Sequence, residues 1–204
     1  MPTAELVAEP RDQLLSQGAI SDLLQTYGIS TDVWGHGTAR SFADLLNHHK
    51  RDQLFFRPEE SRLVLDVNVA MVLVYYQSRG RTFELYEDRQ EFPDGSILHR
   101  DTFDGIGETM GRREIPIETA RRCLAEELNF RDPSLYQLSE IFKIETRPVV
   151  PSEKWPNLFA AYHRHIFECF ISPPLYRRRG YAEIKDGRTI HFRWKRPNQM
   201  LLSI

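Results

Sequence analysis

Two adjacent glutamates, Glu126 and Glu127, and the nearby Cys123 have side-chain types and a spacing that could do chemistry. On a helical wheel of about 100° per residue, Cys123 falls between the two carboxylates on one arc. Neighbouring carboxylates repel each other, so their closeness is tolerated where both are solvated or where a cation is expected. The group therefore predicts either a solvated helix face or a cation site.

A loop followed by a helix must position these side chains. Gly107 and Gly111 stand among charged residues and predict a loop. The helix is predicted to begin at Pro116, because proline lacks the N–H that would have no intrahelical partner in a first turn. One apolar stripe then faces a core, formed by Ile117, Ala120, Leu124 and Leu128.

In this context the stretch from Gly107 to Phe130 resembles the Nudix box, G-x5-E-x7-R-E-U-x-E-E-x-G-U, in which U is aliphatic. The agreeing positions are Glu114, Arg122, Leu124, Glu126, Glu127 and the apolar Phe130. Three positions differ, with Glu108 in place of the opening glycine, Cys123 in place of a glutamate and Asn129 in place of the late glycine. Asparagine tolerates the left-handed conformation that follows a helix, so the last difference is mild.

The resemblance implies a role for each box residue. Glu126 and Glu127 are the implied catalytic and metal-binding residues for Mg²⁺ or Mn²⁺, and Glu114 and Arg122 are the implied ion pair that supports the loop on the helix. In the family, the glutamate at the position of Cys123 also holds the cation, and a thiol is too soft a ligand for Mg²⁺. A replacement carboxylate is expected, if there is one, from Glu108, Asp104 or Glu153.

Two functions follow from this resemblance. The first is a Nudix-type hydrolase that cleaves a nucleoside diphosphate linked to another moiety, with the cation neutralising phosphate charge. The second is a catalytically inactive Nudix-fold module that binds a nucleotide or a protein without cleaving it. Cys123 discriminates between them, because it removes one anionic metal ligand. Either function implies a nucleotide-type small molecule as a partner, and substrate identity lies outside the box.

The composition of the chain is compatible with both functions. The chain has 204 residues, a net charge of −2 and 41% hydrophobic residues, which is typical of one soluble domain with an appendage. This charge does not suggest a general nucleic-acid-binding protein. Cys123 and Cys169 give neither a disulfide framework nor zinc spacing. No signal peptide or membrane span is predicted, so the expected location is the cytoplasm.

The expected fold class is α/β, a Nudix-like α/β/α sandwich with a mixed central sheet and a helical N-terminal extension. The extension is assigned to residues 1–58 and the Nudix-like domain to residues 59–204. Predicted helices are Arg11–Tyr27 and Ala39–Leu54, and predicted strands are Ser61–Gln77, Arg81–Glu87, Leu135–Ile144 and Phe159–Ile171, with a proline-rich loop over Arg147–Pro156. The N-terminal helices must bury their apolar stripe against the core or in a subunit contact, so a homodimer is one alternative.

A basic hairpin is predicted over Tyr181–Lys195, because two alternating arms flank Asp186-Gly187. Between Ile171 and Ile204, eight Lys or Arg residues stand against two acids. These cations predict either a weak contact with nucleic acid or polyphosphate, or a solubilising edge that prevents strand pairing between chains. Aromatic residues interleaved with them could stack on a base, namely Tyr176, Tyr181, Phe192 and Trp194.

Histidines give weaker signals. His163 and His165 share one face of the strand predicted over Phe159–Ile171, so a metal site is one interpretation, and packed or solvated side chains are the favoured one. His48 and His49 are expected to be solvated helix residues. His36 lies between two glycines after Trp34, where a turn fixed by a buried tryptophan is favoured over a metal or phosphate site.

Overall fold

A computed structural model of the chain describes residues 14–196 except 38, 103, 104 and 186, and it describes only the backbone of 101 and 102. The helices are α1 (Gln17–Thr26), α2 (Phe42–Lys50) and α3 (Pro116–Glu127). The strands are β1 (Leu54–Glu59), β2 (Arg62–Ser78), β3 (Arg81–Glu91), β4 (Ile97–Thr102), β5 (Ile106–Thr109), β6 (Tyr136–Leu138), β7 (Lys143–Thr146), β8 (Val150–Pro151), β9 (Phe159–Ile171), β10 (Tyr181–Lys185) and β11 (Arg188–Lys195). Among these helices, none is long and apolar enough to span a bilayer.

The eleven strands form one mixed sheet around β2 and β9. The order along its main path is β10-β11-β3-β2-β9-β6, while β1 and β5 also pair with β2, β4 pairs with β3, and β7 and β8 pair with β9. Only β2 and β9 run parallel among the described pairs, with Val64 opposite Phe159 and Tyr76 opposite Ile171. Helices cover both faces of this central pair, which is the usual condition for parallel strands. The α/β class and the mixed sheet are therefore confirmed.

Helix α3 lies on one face of the sheet. Successive side chains of a strand point to opposite faces, so Ala70, Val72 and Val74 of β2 share a face. They form a buried cluster with Cys123 and Leu124 of α3. This packing fixes the helix that carries the box residues against the centre of the sheet.

The N-terminal helices lie on the other face. Leu63 and Leu65 of β2 are buried in a second cluster with Ile20 of α1 and Leu45 of α2. Trp155, from the loop between β8 and β9, joins this cluster, and its indole N–H donates to the carbonyl of Ser41 at 3.2 Å. The apolar stripes of α1 and α2 are thus buried within the chain. Strand β1 runs through the expected domain boundary between residues 58 and 59, and that boundary stays a prediction.

Local sequence explains how the helices start and end. Ser16 and Ser41 cap α1 and α2, and Ser41 forms a reciprocal capping box with Asp44. Helix α3 begins at Pro116 as predicted. After it, Asn129 adopts a left-handed φ of 60°, and Phe130 N–H donates back to the carbonyl of Leu124 at 3.0 Å. Asparagine therefore ends this helix as glycine would.

Several predicted bounds were wrong for local reasons. The second helix stops at Lys50 rather than Leu54, because Asp52 takes a left-handed φ of 59° and Leu54 begins β1. The first helix starts at Gln17, Leu14 is 52% exposed rather than inward, and residues 11–13 lie outside the described residues. The strand expected over Leu135–Ile144 divides into β6 and β7, and the loop expected over Arg147–Pro156 contains the short β8.

Gly107 lies in β5 and not in a loop. Its partner in β2 is Met71, and a Cβ on Gly107 would lie 2.5 Å from the sulfur of that side chain. A side chain at position 107 would make the flexible end of Met71 shift, so this glycine accommodates the neighbouring strand and does not form a turn. The loop itself runs over residues 110–115, between β5 and α3.

Candidate ligand-binding cleft

The loop before α3 is held on the helix by Glu114. Its carboxylate accepts hydrogen bonds from the N–H of Gly111 at 3.0 Å, from the hydroxyl of Thr119 at 3.1 Å and from both guanidinium amino groups of Arg122. Arg122 also donates to the carbonyl of Thr109, at the end of β5, at 3.3 Å. The Arg122 contact is the main cause that lowers the pKa of Glu114. These bonds join β5, the loop and α3 into one unit.

The three chemically interesting residues of α3 lie in different surroundings. Cys123 is fully buried, Glu127 is 7% exposed, and Glu126 is exposed. Burial and the nearby carboxylate of Glu127 raise the pKa of the Cys123 thiol well above its ordinary value. Burial also raises the pKa of Glu127 to about 8, although Lys185 acts in the opposite direction. Cys123 is thus a neutral thiol, and Lys185 is the neighbour that favours the charged form of Glu127.

Lys185, at the end of β10, extends its ammonium group into the carboxylates next to Cys123. Its Nζ lies 3.0 Å from Glu108 Oε2, 3.7 Å from Glu127 Oε1 and 3.8 Å from Glu183 Oε1. Burial alone would lower the pKa of Lys185, but the charges of Glu108 and Glu127 raise it overall. The side chain is therefore a fixed cation within a group of acids.

A cleft of about 330 Å³ opens beside this group. Among the described residues, six cationic side chains line it: Arg40, Arg51, Arg100, Lys154, Lys185 and Arg188. The carboxylates that line it are Glu87, Glu108, Glu127 and Glu183. Positive charge exceeds negative charge even if every acid is ionised. The cleft thus favours an anionic ligand.

Arg188 and Lys154 give the cleft its clearest binding groups. One amino group of Arg188 donates to Gln90 Oε1 at 3.0 Å, but its Nε is buried without a hydrogen-bond partner among the described residues. Lys154 is exposed overall and also lines the cleft, where burial and then repulsion from Arg40 and Arg188 lower its pKa to about 8. Buried donors normally have acceptors, so an acceptor-bearing ligand would complete this part of the cleft.

His48 reaches the cleft from α2 in its neutral form. Its Nδ1 lies 2.9 Å from Gln53 Oε1, which requires a proton on that nitrogen, and its Nε2 accepts a hydrogen bond from Arg40. Burial, reinforced by Arg40, lowers the pKa of His48. His49 is 4% exposed, and its Nε2 accepts from the N–H of Leu15 at 2.9 Å. The expectation that both histidines are solvated was wrong, because α2 turns them towards the sheet and the cleft.

The residues proposed to replace the missing carboxylate lie apart from one another. Glu108 reaches the cleft and contacts Lys185, whereas Glu153 is exposed and is not among the residues that line the cleft. Asp104 lies outside the described residues. His163 contacts Thr146 at 3.3 Å and Asp66 at 3.5 Å. No group of three or more His, Cys, Asp or Glu side chains within the described part of the chain is arranged to hold a metal ion.

This donor set does not fit Mg²⁺ or Mn²⁺. Both ions prefer oxygen ligands, whereas position 123 offers a buried thiol. Glu126 is exposed and is not among the residues that line the cleft, and the oxygens of Glu127 and Glu108 face the Lys185 ammonium group. Of these two glutamates, Glu127 lines the cleft, and their assignment to one metal site stays a prediction.

The basic C-terminal segment does not form a single surface. Lys185 and Arg188 line the cleft. Arg193, whose side chain is 56% exposed, instead pairs with Asp88 at 3.1 Å. The aromatic residues mostly pack against one another. Tyr76 and Tyr176 stack with centroids 3.9 Å apart. Tyr181 and Phe192 are buried in one core cluster, against which Trp194 packs. These two buried rings belong to the core and cannot stack on a base.

Comparison with known proteins gives only distant structural likenesses. No protein-family model matches the chain, and no curated protein matches it. Solved structures similar to it include the C. elegans Ap4A hydrolase, with 14% identity over 63% of this chain and 79% of that chain and a TM-score of 0.37. Another is the Nudix domain of Shewanella oneidensis NrtR complexed with ADP ribose, with 11% identity, 64% and 73% coverage and a TM-score of 0.39. A third is the M. Smegmatis Nudix hydrolase RenU, with 12% identity, 69% and 78% coverage and a TM-score of 0.41. Two of these three are named as Nudix proteins.

Proposed function

We propose that this protein binds a phosphate-bearing, nucleotide-type ligand in the cleft between β5, α3 and the β10–β11 hairpin, without a divalent cation and without cleaving the ligand. The observation that carries the proposal is the buried Nε of Arg188, a donor without a partner among the described residues of a cleft lined mainly by cations. A phosphate oxygen is a strong acceptor and suits a guanidinium group.

The charge of the cleft supports a ligand with more than one phosphate. Lys154 and Arg188 lie close enough for their charges to repel, and Arg40 adds to the effect. Like charges brought together in a folded protein cost free energy, which a bound polyanion would offset. A pyrophosphate linkage, with two adjacent anionic groups, matches this clustering better than a single carboxylate.

The absence of cleavage follows from the donor set. Cys123 is a buried neutral thiol, Glu126 lies outside the cleft, and Lys185 is placed against Glu108 and Glu127. The positive charge that would face a phosphate therefore comes from fixed side chains. Fixed cations bind and orient an anion, but they do not generate a nucleophilic water as a bound metal does.

Isothermal titration calorimetry in EDTA tests the binding. ADP-ribose is a suitable probe because it carries a pyrophosphate, and adenosine is the matched ligand without phosphate. We expect ADP-ribose to bind and adenosine to bind far more weakly. Arg188→Met should weaken ADP-ribose binding by roughly tenfold or more, since it removes a charge-assisted hydrogen bond.

Arg193→Met is the matched control, because Arg193 belongs to the same strand but pairs with Asp88 on an exposed side. It should change the affinity by less than about twofold, as expected for an exposed ion pair. Equal effects of the two substitutions, or binding that needs added Mg²⁺, would contradict the proposal.

A second candidate function is the hydrolysis implied by the box, cleavage of a nucleoside diphosphate linked to another moiety. The observation that favours it is the ion pair of Glu114 and Arg122, which fixes the loop beside the buried Glu127. Incubation of the protein with ADP-ribose and Mg²⁺ or Mn²⁺, followed by chromatography of the nucleotides, decides between the two. Metal-dependent release of AMP, lost in Glu127→Gln, would establish the hydrolase and exclude the non-cleaving module.

A further inference from the structure

We propose that Lys185 is an internal cation that occupies the place of a divalent metal ion, so that the hairpin keeps the carboxylates of this cleft from binding metal. This inference goes beyond the proposed function, because it concerns the acidic side of the cleft and needs no phosphate ligand. It rests on where the ammonium group lies and on which elements supply its neighbours.

The acids around Lys185 come from three separate elements. Glu108 belongs to β5, Glu127 to α3 and Glu183 to β10, and each places a carboxylate oxygen within 3.8 Å of the ammonium nitrogen. Carboxylates that converge from different elements on one point form the usual arrangement around a bound cation. Here the point of convergence is a covalently attached ammonium group.

Burial indicates that the arrangement is built into the fold. Glu127 is 7% exposed, and the side chain of Glu183 is 10% exposed, so neither is a freely solvated surface acid. Buried carboxylates need a compensating charge or a hydrogen-bond donor. Lys185 supplies the charge for Glu127 and Glu183 at 3.7 and 3.8 Å, and it donates a hydrogen bond to Glu108 at 3.0 Å.

Cys123 completes the charge balance. It is fully buried next to Glu127, where a carboxylate would add one more negative charge to the group of acids around Lys185. A neutral thiol adds no negative charge. The ammonium group of Lys185 therefore compensates the acids around it more easily than it would with a further carboxylate at position 123. The thiol at position 123 and the lysine at position 185 are therefore two parts of one arrangement.

Metal and ammonium cannot share these oxygens. A divalent ion bound to Glu108 and Glu127 would need oxygens at about 2.0–2.6 Å, and it would then lie close to Lys185 Nζ and be repelled by its charge. Removing the ammonium group should open the position, since small rotations of the acids bring their oxygens towards a common centre. Introducing a carboxylate at position 123 while Lys185 is present should not suffice.

The test is a titration of EDTA-treated protein with Mn²⁺, with free Mn²⁺ measured by electron paramagnetic resonance. The variants are Lys185→Met, Lys185→Gln, Cys123→Glu and the double variant Lys185→Gln with Cys123→Glu. Lys143→Met is the matched control, because Lys143 also pairs with a glutamate, Glu145 at 3.5 Å, but on an exposed side chain. Circular dichroism and thermal unfolding establish that each variant is folded.

We expect the wild type, Cys123→Glu and the Lys143 control to leave Mn²⁺ free, and both Lys185 variants to bind it. The gain in affinity should be at least about tenfold, the scale on which single groups around a metal ligand act, with the double variant binding tightest. Mn²⁺ should also raise the unfolding temperature of the Lys185 variants alone. Wild-type protein that binds Mn²⁺ as tightly as Lys185→Gln, or a folded double variant that does not bind, would overturn the proposal. Because no phosphate ligand is present, these outcomes are independent of the ADP-ribose titration.

Discussion

Glu84 gives the protein a pH-dependent stability whose size can be worked out from the structure. It lies in β3 opposite Tyr75 of β2, and it is only 7% exposed. Burial raises its pKa from the ordinary 4.5 to about 6, and repulsion from Glu168 adds to this. Burial, and then the charges of Glu84 and Glu168, also raise the pKa of the neighbouring Tyr75. Lys195 lies opposite Glu84 in the register of β11 and β3, and its ammonium group lies over the Tyr86 ring.

The sign of the effect follows from proton linkage. With a pKa raised on folding, the native state holds the proton more tightly than the unfolded state does between about pH 4.5 and 6, so stability falls as pH rises. Each tenfold change in the acid dissociation constant between the unfolded and the folded state changes the free energy of unfolding by about 1.4 kcal/mol. The stabilisation present below pH 4.5 and lost above about pH 6 is therefore about 2 kcal/mol from this one residue.

Replacing Glu84 with glutamine removes the titration and keeps the shape of the side chain. At about pH 7.5 we expect Glu84→Gln to unfold with a free energy up to about 2 kcal/mol above that of the wild type, and the difference to disappear near pH 4. Urea unfolding followed by circular dichroism measures it, and subtracting the two curves cancels the titration of all shared groups.

Glu168→Gln is the control for the charge component. It should stabilise the protein near neutral pH by less than Glu84→Gln does, because burial is the larger cause of the raised pKa. A difference between wild type and Glu84→Gln that stays constant from acid to neutral pH would refute the reasoning. So would a Glu84→Gln variant that is no more stable than the wild type at about pH 7.5.

Two further predictions concern the residues around the cleft. Arg122→Met should lower the free energy of unfolding by about 1–2 kcal/mol. Solvent limits the effect, because both side chains of the ion pair with Glu114 are about one third exposed. Urea unfolding measures the change, and an equal effect of Arg121→Met, at the exposed neighbouring residue, would contradict the prediction. Lys154 has a pKa lowered to about 8 by burial and then by Arg40, so its charge is lost as pH rises through that value. The affinity for ADP-ribose in calorimetry should therefore fall above about pH 8 in the wild type but not in Lys154→Met, and parallel pH profiles would exclude this role.

Strong local patterns allowed much of the sheet to be predicted. Strand β9 runs over Phe159–Ile171 as expected, because a long β-rich segment there is bounded by Pro156 and by Pro173. The hairpin followed from the turn signal at Gly187. Strand β1 was missed, since it contains Pro58 and lacks a clear alternation of apolar and polar residues. Its pairing with β2 comes from tertiary contact, which local propensity does not report.

The acidic side of the cleft was only partly predictable. The box placed Glu127 and Cys123 on one helix, but the neighbour that decides their chemistry, Lys185, is far away in sequence. A signal for it was present in the hairpin. Tyr181, a buried aromatic residue, shares its face of the strand with Lys185, whereas Ile184 points outwards and is 82% exposed. The alternation of inward and outward side chains along this strand, counted from the apolar Tyr181, predicts that Lys185 points inwards.

The parallel pairing of β2 with β9 has a consequence for the order in which the chain can fold. Val64 must find Phe159, about 95 residues later, and the pairing continues to Tyr76 and Ile171. During synthesis, β2 therefore leaves the ribosome long before its parallel partner exists, and β1, β5 and β3, which are made earlier, pair along its other edge. A chain that stops before Ile171 would present an unpaired β2 edge to other chains. Productive folding of this protein must then be a late, nearly complete event, in which the cleft assembles only after its last hairpin has been made.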